Sequence, residues 1–163
     1  MEANFPITIE SSFPFPWLST IILLPVIGAL IMPLLPKEGK NYEHLARNLA
    51  ITFLSIDFLL ILGVLGIFFD KQSTSLQLIE RLNWLPSIGL EWSLGVDGIS
   101  APLVVLSGLI TLLSALASWK IKNKTRLYFA LLLVQASAQS LVFLSQDFLL
   151  FFLAWELELV PVY

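Results

Sequence analysis

The sequence predicts an all-α integral membrane protein of about five transmembrane helices, the fifth cut short. Three observations predict it. Of the 163 residues, 57% are hydrophobic and only 13% charged, with a mean hydropathy of +0.86. A soluble domain carries about 25% charged residues, so this chain has too little polar side chain to cover a surface facing water. Second, the apolar residues are gathered into blocks, four of them long enough to cross a hydrocarbon core of ~30 Å at about 20 residues each. Third, the basic residues fall in alternate connections, as the positive-inside rule expects of a multi-span chain. The whole of 1–163 reads as a single transmembrane region, the amino-terminal part of a longer subunit.

The first span is expected over about 17–35. The segment before it holds Glu2 and Glu10 but no Lys or Arg, which is wrong for a signal peptide. Pro25 and Pro33 lie within it, and a kink is expected rather than a break, because neighbouring helices satisfy the freed backbone groups. The second span is expected over about 48–69, the third over 99–119 and the fourth over 127–144. A fifth block, 148–163, is still helical in character at Tyr163 and too short to cross, which marks the chain as a fragment.

Between spans 2 and 3 lies a mixed segment, 70–98. Leu76 to Leu85 and Gly89 to Leu94 combine apolar, aromatic and charged residues, and Pro86-Ser87-Ile88-Gly89 reads as a turn. A short hairpin or interfacial cap fits, with Trp84 and Trp92 at headgroup level. Asp97 or Ser100 is placed to cap span 3, and Pro102 suits its first turn.

The first and third connections hold Lys37, Lys40 and Arg47, and then Lys120, Lys122, Lys124 and Arg126. The amino-terminal arm and the turn 145–147 hold no Lys or Arg; in 70–98, Lys71 and Arg81 are set against Asp70, Glu80, Glu91 and Asp97. The amino terminus is therefore expected on the lumenal or periplasmic side. The basic residues read as topology determinants, and His44, near Glu43 and Arg47, as a solvated side chain.

Ionisable residues inside a span are costly and usually functional. Glu156 is nine residues past Asp147, which puts it ~14 Å deep at 1.5 Å per residue, near the middle of the core. A carboxylate there suits a proton carrier. Pro161 lacks an N–H, so the carbonyl of Leu157 loses its helical partner beside that acid. Glu158 is two residues on and projects from roughly the opposite side of the helix, so the two cannot form a close dyad; one is expected to face the interior, the other a subunit contact or a second polar pocket. Asp57, near the middle of span 2, is a further candidate. Gln135 and Gln139 share one face of span 4, and Ala136 and Ser140 form a small-xxx-small pair; both read first as interhelical packing and hydrogen bonding.

Several function classes are excluded. The chain has no cysteine, so disulfides, cysteine-ligated iron–sulfur clusters and thiol chemistry are absent. With one histidine, a clustered His/Cys metal site is absent too. A net charge of −3 offers nucleic acid no footprint. No glycine-rich phosphate loop, dinucleotide fingerprint or nucleophile arrangement appears, so no device for NAD or flavin is present.

Two segments carry a more specific signal: Gly95-Val96-Asp97-Gly98-Ile99-Ser100-Ala101-Pro102-Leu103, and Phe151-Phe152-Leu153-Ala154-Trp155-Glu156-Leu157-Glu158-Leu159-Val160-Pro161-Val162-Tyr163. With Tyr128-Phe129-Ala130, the run Gln135 to Ser140 and the opening Phe15-Pro16-Trp17-Leu18-Ser19-Thr20-Ile21-Ile22-Leu23, they resemble the antiporter-like subunits of respiratory complex I, most of all the chain 4 members from cyanobacteria and chloroplasts. The resemblance implies a proton-translocating membrane subunit of a quinone oxidoreductase. The assembly's quinone and its reduced nicotinamide or ferredoxin donor would be handled by other subunits, with no cofactor or redox centre in this chain. It implies other membrane subunits and the lipid bilayer as partners, and a cyanobacterial thylakoid, a chloroplast thylakoid or a bacterial inner membrane as location. It also implies that Glu156, directly after Trp155, belongs to the proton path, paired with a lysine on a later helix beyond Tyr163. A chain without that lysine is not expected to pump alone. A subunit of a multi-subunit cation/proton antiporter and a non-transporting membrane scaffold are the competing readings.

Overall fold

The computed structural model describes residues 9–11, 13–35, 42–73, 75–85, 89–121 and 123–162. Glu2, Lys37, Lys40, Pro86, Ser87, Ile88, Lys122 and Tyr163, used above, lie outside them. The elements are β1 (Ile9–Ser11), α1 (Trp17–Ile31), α2 (Tyr42–Phe68), β2 (Gln77–Leu85), β3 (Leu90–Val96), α3 (Ser100–Ala117), α4 (Thr125–Leu144) and α5 (Phe148–Val162). Among the described residues, four helical stretches are long and apolar enough to cross a membrane: Trp17–Leu34, Glu43–Phe68, Ser100–Lys120 and Thr125–Leu144.

The helices alternate in direction between two ends. At one end sits a three-stranded antiparallel sheet in the order β1-β2-β3. The expected hairpin is β2–β3. The short β1, which adds a third strand by pairing Glu10 with Arg81, was not anticipated. Gly89 has a φ of +72°, as a tight turn between strands requires. A bulge lies between the pairs Gln77–Val96 and Glu80–Leu94. Leu78, within it, takes a positive φ of 55°. Opposite the bulge, a Cβ on Gly95 would stand 2.8 Å from Leu76 Cγ, so only glycine lets that side chain pack down. The connection from α4 to α5 docks on this sheet, with Gln146 N–H donating to Ser93 O at 2.8 Å.

The other end is stitched by arginines. Arg126 donates to Leu35 O at 2.7 Å, just past a 3-10 turn, Met32–Leu34, that extends α1. Pro25 lies inside a continuous α1, as expected, whereas Pro33 sits in that turn, where the α-helix has already ended. Arg47 donates to Trp119 O at 2.9 Å, and its guanidinium lies 3.8 Å from the centre of the Trp119 ring. It is only 6% exposed. These two residues place positive charge at carbonyl-rich helix ends, where the helix dipole favours it. They are therefore more than topology determinants. α2 begins at Tyr42 rather than near Asn48, so the packed Arg47 lies within the helix and not in a connection. His44 is a correction as well. It is exposed, but its Nδ1 meets Arg47 Nη2 at 2.6 Å, and since Arg only donates, that nitrogen accepts.

Within the bundle α1 and α4 lie close. A Cβ on Gly28 would meet Phe53 Cγ at 2.9 Å and Leu133 Cδ1 at 3.2 Å, so α1 approaches both α2 and α4 there. Ser137 Oγ donates to Ile22 O at 2.7 Å across the same seam, and Ala136 and Ser140 are buried, as the small-residue pattern predicts.

Candidate functional site

The helix that carries the candidate acids starts with a cap. Leu150 N–H donates to Asp147 Oδ1 at 2.7 Å, which sets α5 running from Phe148. Leu150 and Ala154 are buried and fix its inward face. Glu158 is one turn further along that face. It is partly buried, and its Oε1 accepts from Gln135 Nε2 at 3.1 Å and Gln139 Nε2 at 3.3 Å.

Gln139 continues the chain of polar groups. Its Oε1 accepts from Ser107 Oγ at 3.0 Å and from Thr111 Oγ1 at 3.2 Å. Thr111 Oγ1 also reaches Ser107 O at 2.9 Å. Three helices, α3, α4 and α5, are thereby tied through the Gln139 amide. The two glutamines do bond between helices, as expected. Ser107 and Thr111 were missed, because hydroxyls in an apolar span carry no signal until their partners are known.

Glu156 stands on the other side of α5. It is exposed, and its side chain makes no hydrogen bond with the described residues. Its neighbours on this face are apolar and open: Phe152 is 49% exposed and Leu159 51%. So the two acids divide as their two-residue spacing predicts, one bonded inside and one facing outward. Asp57, by contrast, is 3% exposed within the bundle, and its Oδ1 has no hydrogen-bond partner among the described residues.

At the sheet end, Asp97 Oδ1 accepts from Ser100 N at 2.7 Å and Ile99 N at 3.0 Å, while Ser100 Oγ accepts from Asp97 N at 2.9 Å. This is a reciprocal capping box, and the predicted cap role of both residues holds. The hydrogen bond from the Ser100 backbone holds the Asp97 carboxyl below the usual carboxylate range. Glu80 figured above only in the charge balance of 70–98. It is 7% exposed, and it caps α1 from β2: its oxygens accept from Leu18 N at 2.7 Å, Ser19 N at 2.9 Å and Ser19 Oγ at 2.6 Å. Pro16, at the N-cap, has no side-chain oxygen to do this. Trp92 Nε1 donates to Ser19 Oγ at 2.9 Å and closes the cluster.

A sequence model described as NADH-ubiquinone oxidoreductase chain 4, amino terminus, matches residues 20–144. NAD(P)H-quinone oxidoreductase chain 4 3 of Trichormus variabilis is 49% identical over 150 residues, covering 91% of this chain and 27% of that protein. Chain 4 1 from a Synechococcus species is 50% identical over 154 residues, covering 94% of this chain and 28% of that protein. The chain thus spans about a quarter of the length of these curated relatives. Among solved structures, the fold is similar to a chain of respiratory complex I from Thermus thermophilus with bound NADH (TM-score 0.70, 23% identity), covering 88% of this chain and 27% of that one. It is also similar to a chain of the membrane-bound sulfane sulfur reductase, an archaeal respiratory membrane complex (TM-score 0.68, 21% identity), covering 89% of this chain and 22% of that one.

Proposed function

This chain belongs to the NADH-ubiquinone oxidoreductase chain 4 family, and from that premise we propose that it is the amino-terminal part of a proton-translocating membrane subunit of a complex I-like quinone oxidoreductase. Electrons from a reduced nicotinamide or ferredoxin donor reach quinone in other subunits, and this chain carries protons. The enzyme activity belongs to the assembly, and no redox centre is assigned here. The relatives' cyanobacterial origin supports a thylakoid location.

The observation that carries the reading is Glu156. A carboxylate near mid-membrane on an outward face is not stable against lipid, so that face of α5 is covered by protein. The relatives' remaining length is enough to supply such cover. Facing a neighbouring helix, Glu156 is positioned to pass a proton to a basic partner there. The lysine expected from the family resemblance is that partner. Glu158 acts behind it as the internal acid, held by Gln135 and Gln139. The test is whether Glu156→Gln, in the subunit assembled in its complex, separates proton movement from quinone reduction.

The sheet end is assigned to the lumen or periplasm and the arginine end to the opposite side, following the basic residues. A Lys124→Cys variant in intact right-side-out vesicles is expected to resist a membrane-impermeant thiol reagent and to react once the vesicles are opened. Ready labelling from outside would reverse the assignment.

A further inference from the structure

The bundle interior is two apolar clusters with a polar layer between them. Each of three helices crosses from one cluster to the other. On α2 the crossing runs from Leu54 to Ile61, on α3 from Ala115 to Val104, and on α4 from Ala136 to Leu141. Each of these helices carries buried or half-buried polar side chains in between: Asp57 on α2, Ser107 and Thr111 on α3, and Ser137, Gln139 and Ser140 on α4, with the small Ala138 buried beside them.

The register of α2 against α3 puts Asp57 in line with this layer. A Cβ on Gly108 would stand 3.1 Å from Ile61 Cδ1 and 3.2 Å from Phe58 Cδ2, so the helices touch there. They run antiparallel. One turn toward the arginine end is Asp57 on α2 and, on α3, Leu112 with Thr111 beside it. The Thr111 hydroxyl bonds Gln139, and Gln139 bonds Glu158. Two acceptors, Asp57 Oδ1 in the layer and Gln135 Oε1 at its edge, are buried without a partner among the described residues. Buried acceptors of this kind are satisfied by ordered water. An apolar side chain at position 57 would bury at lower cost than an unpartnered acid, so packing gives no reason for the acid.

We propose that Asp57 is a proton-exchanging site that communicates with Glu158 through bound water ordered by Ser107, Thr111 and Gln139, giving a lateral branch that runs from α2 to α5 in the membrane plane. The step is a balanced proton transfer. The O–H bond of the Asp57 carboxylic acid breaks, an O–H bond forms on the Glu158 carboxylate, and the charge moves the other way. Water carries the proton, while the hydroxyls and the amide orient it. This inference rests on the proton-translocation reading above.

The test uses the assembled complex in membrane vesicles, with protons moved per electron pair and the amount of assembled complex as readouts. Asp57→Asn keeps the shape and hydrogen-bonding groups but has no acid proton. It is expected to assemble normally and to lower proton translocation by about a hundredfold, the scale of a lost acid–base group, with Asp57→Glu restoring most of it. Wild-type pumping by Asp57→Asn overturns the proposal, since a merely structural acid tolerates that change. Should Asp57→Asn fail to assemble, Thr111→Val reads the same link without touching the acid: reduced pumping supports the branch, and wild-type pumping overturns it. Glu156→Gln in the same assay separates the two ideas. If it loses pumping while Asp57→Asn does not, only the branch fails. If Glu156→Gln pumps normally, the proton-translocation reading itself fails.

Discussion

Glu156→Gln, in the complex and with the membrane made leaky to protons, is expected to keep reducing quinone; in sealed vesicles it is expected to lose proton movement by about a hundredfold, the scale of a removed acid–base group. The substitution is isosteric and neutral. It leaves α5 in place, because the helix is seated by Leu150, Ala154 and Glu158 on its other side. Glu156 itself bonds none of the described residues. The loss should therefore appear without loss of assembled complex. Glu156→Asp retracts the carboxyl by one methylene and should retain part of the activity. Glu158→Gln is a useful contrast: it can still accept from Gln135 and Gln139, so its assembly is also normal.

Glu80→Ala is expected to cost about 4 kcal/mol of subunit stability, since charge-assisted hydrogen bonds contribute roughly 1.5–3 kcal/mol each and are not additive. Glu80 is the only described side chain bonded to the backbone N–H groups of the first turn of α1. Its negative charge also faces the positive end of the helix dipole. Removing it orphans the Leu18 and Ser19 N–H groups and the Ser19 hydroxyl beneath the sheet. Glu80→Gln keeps one acceptor oxygen and turns a donor toward the other, so its loss should be intermediate. Thermal unfolding of the solubilised complex, or the amount of subunit that accumulates, reads the difference. Equal stability of Glu80→Ala and the unsubstituted protein would show that the α1 cap is dispensable.

The spans were legible because lipid imposes a length and a polarity on every crossing helix, and both are visible in one sequence. The split of Glu156 from Glu158 was legible for a similar reason: helical rotation over two residues is fixed by geometry. Asp97 and Ser100 could be paired because a cap is local. Glu80 could not be paired with α1, since the groups it serves lie more than sixty residues away and only the fold brings β2 over that helix. Arg47 misled for the same reason. A basic residue near a span edge looks solvated until Trp119 is found beneath it. The strand β1 is three residues long, too short to show a period. The polar layer was half visible. Asp57, Gln139, Ser137 and Ser140 could be named, Ser107 and Thr111 could not, and their common level depends on how α2, α3 and α4 are set against one another.

The most direct test of the central claim, that Glu156 gains and loses a proton during turnover, is infrared difference spectroscopy of the complex as it reduces quinone. The account predicts a carboxylic-acid carbonyl band that changes with turnover and shifts in heavy water. This band disappears in Glu156→Gln and persists in Glu158→Gln, where any second band is the one lost. A turnover spectrum in which Glu156→Gln retains every carboxyl band of the unsubstituted protein would contradict it.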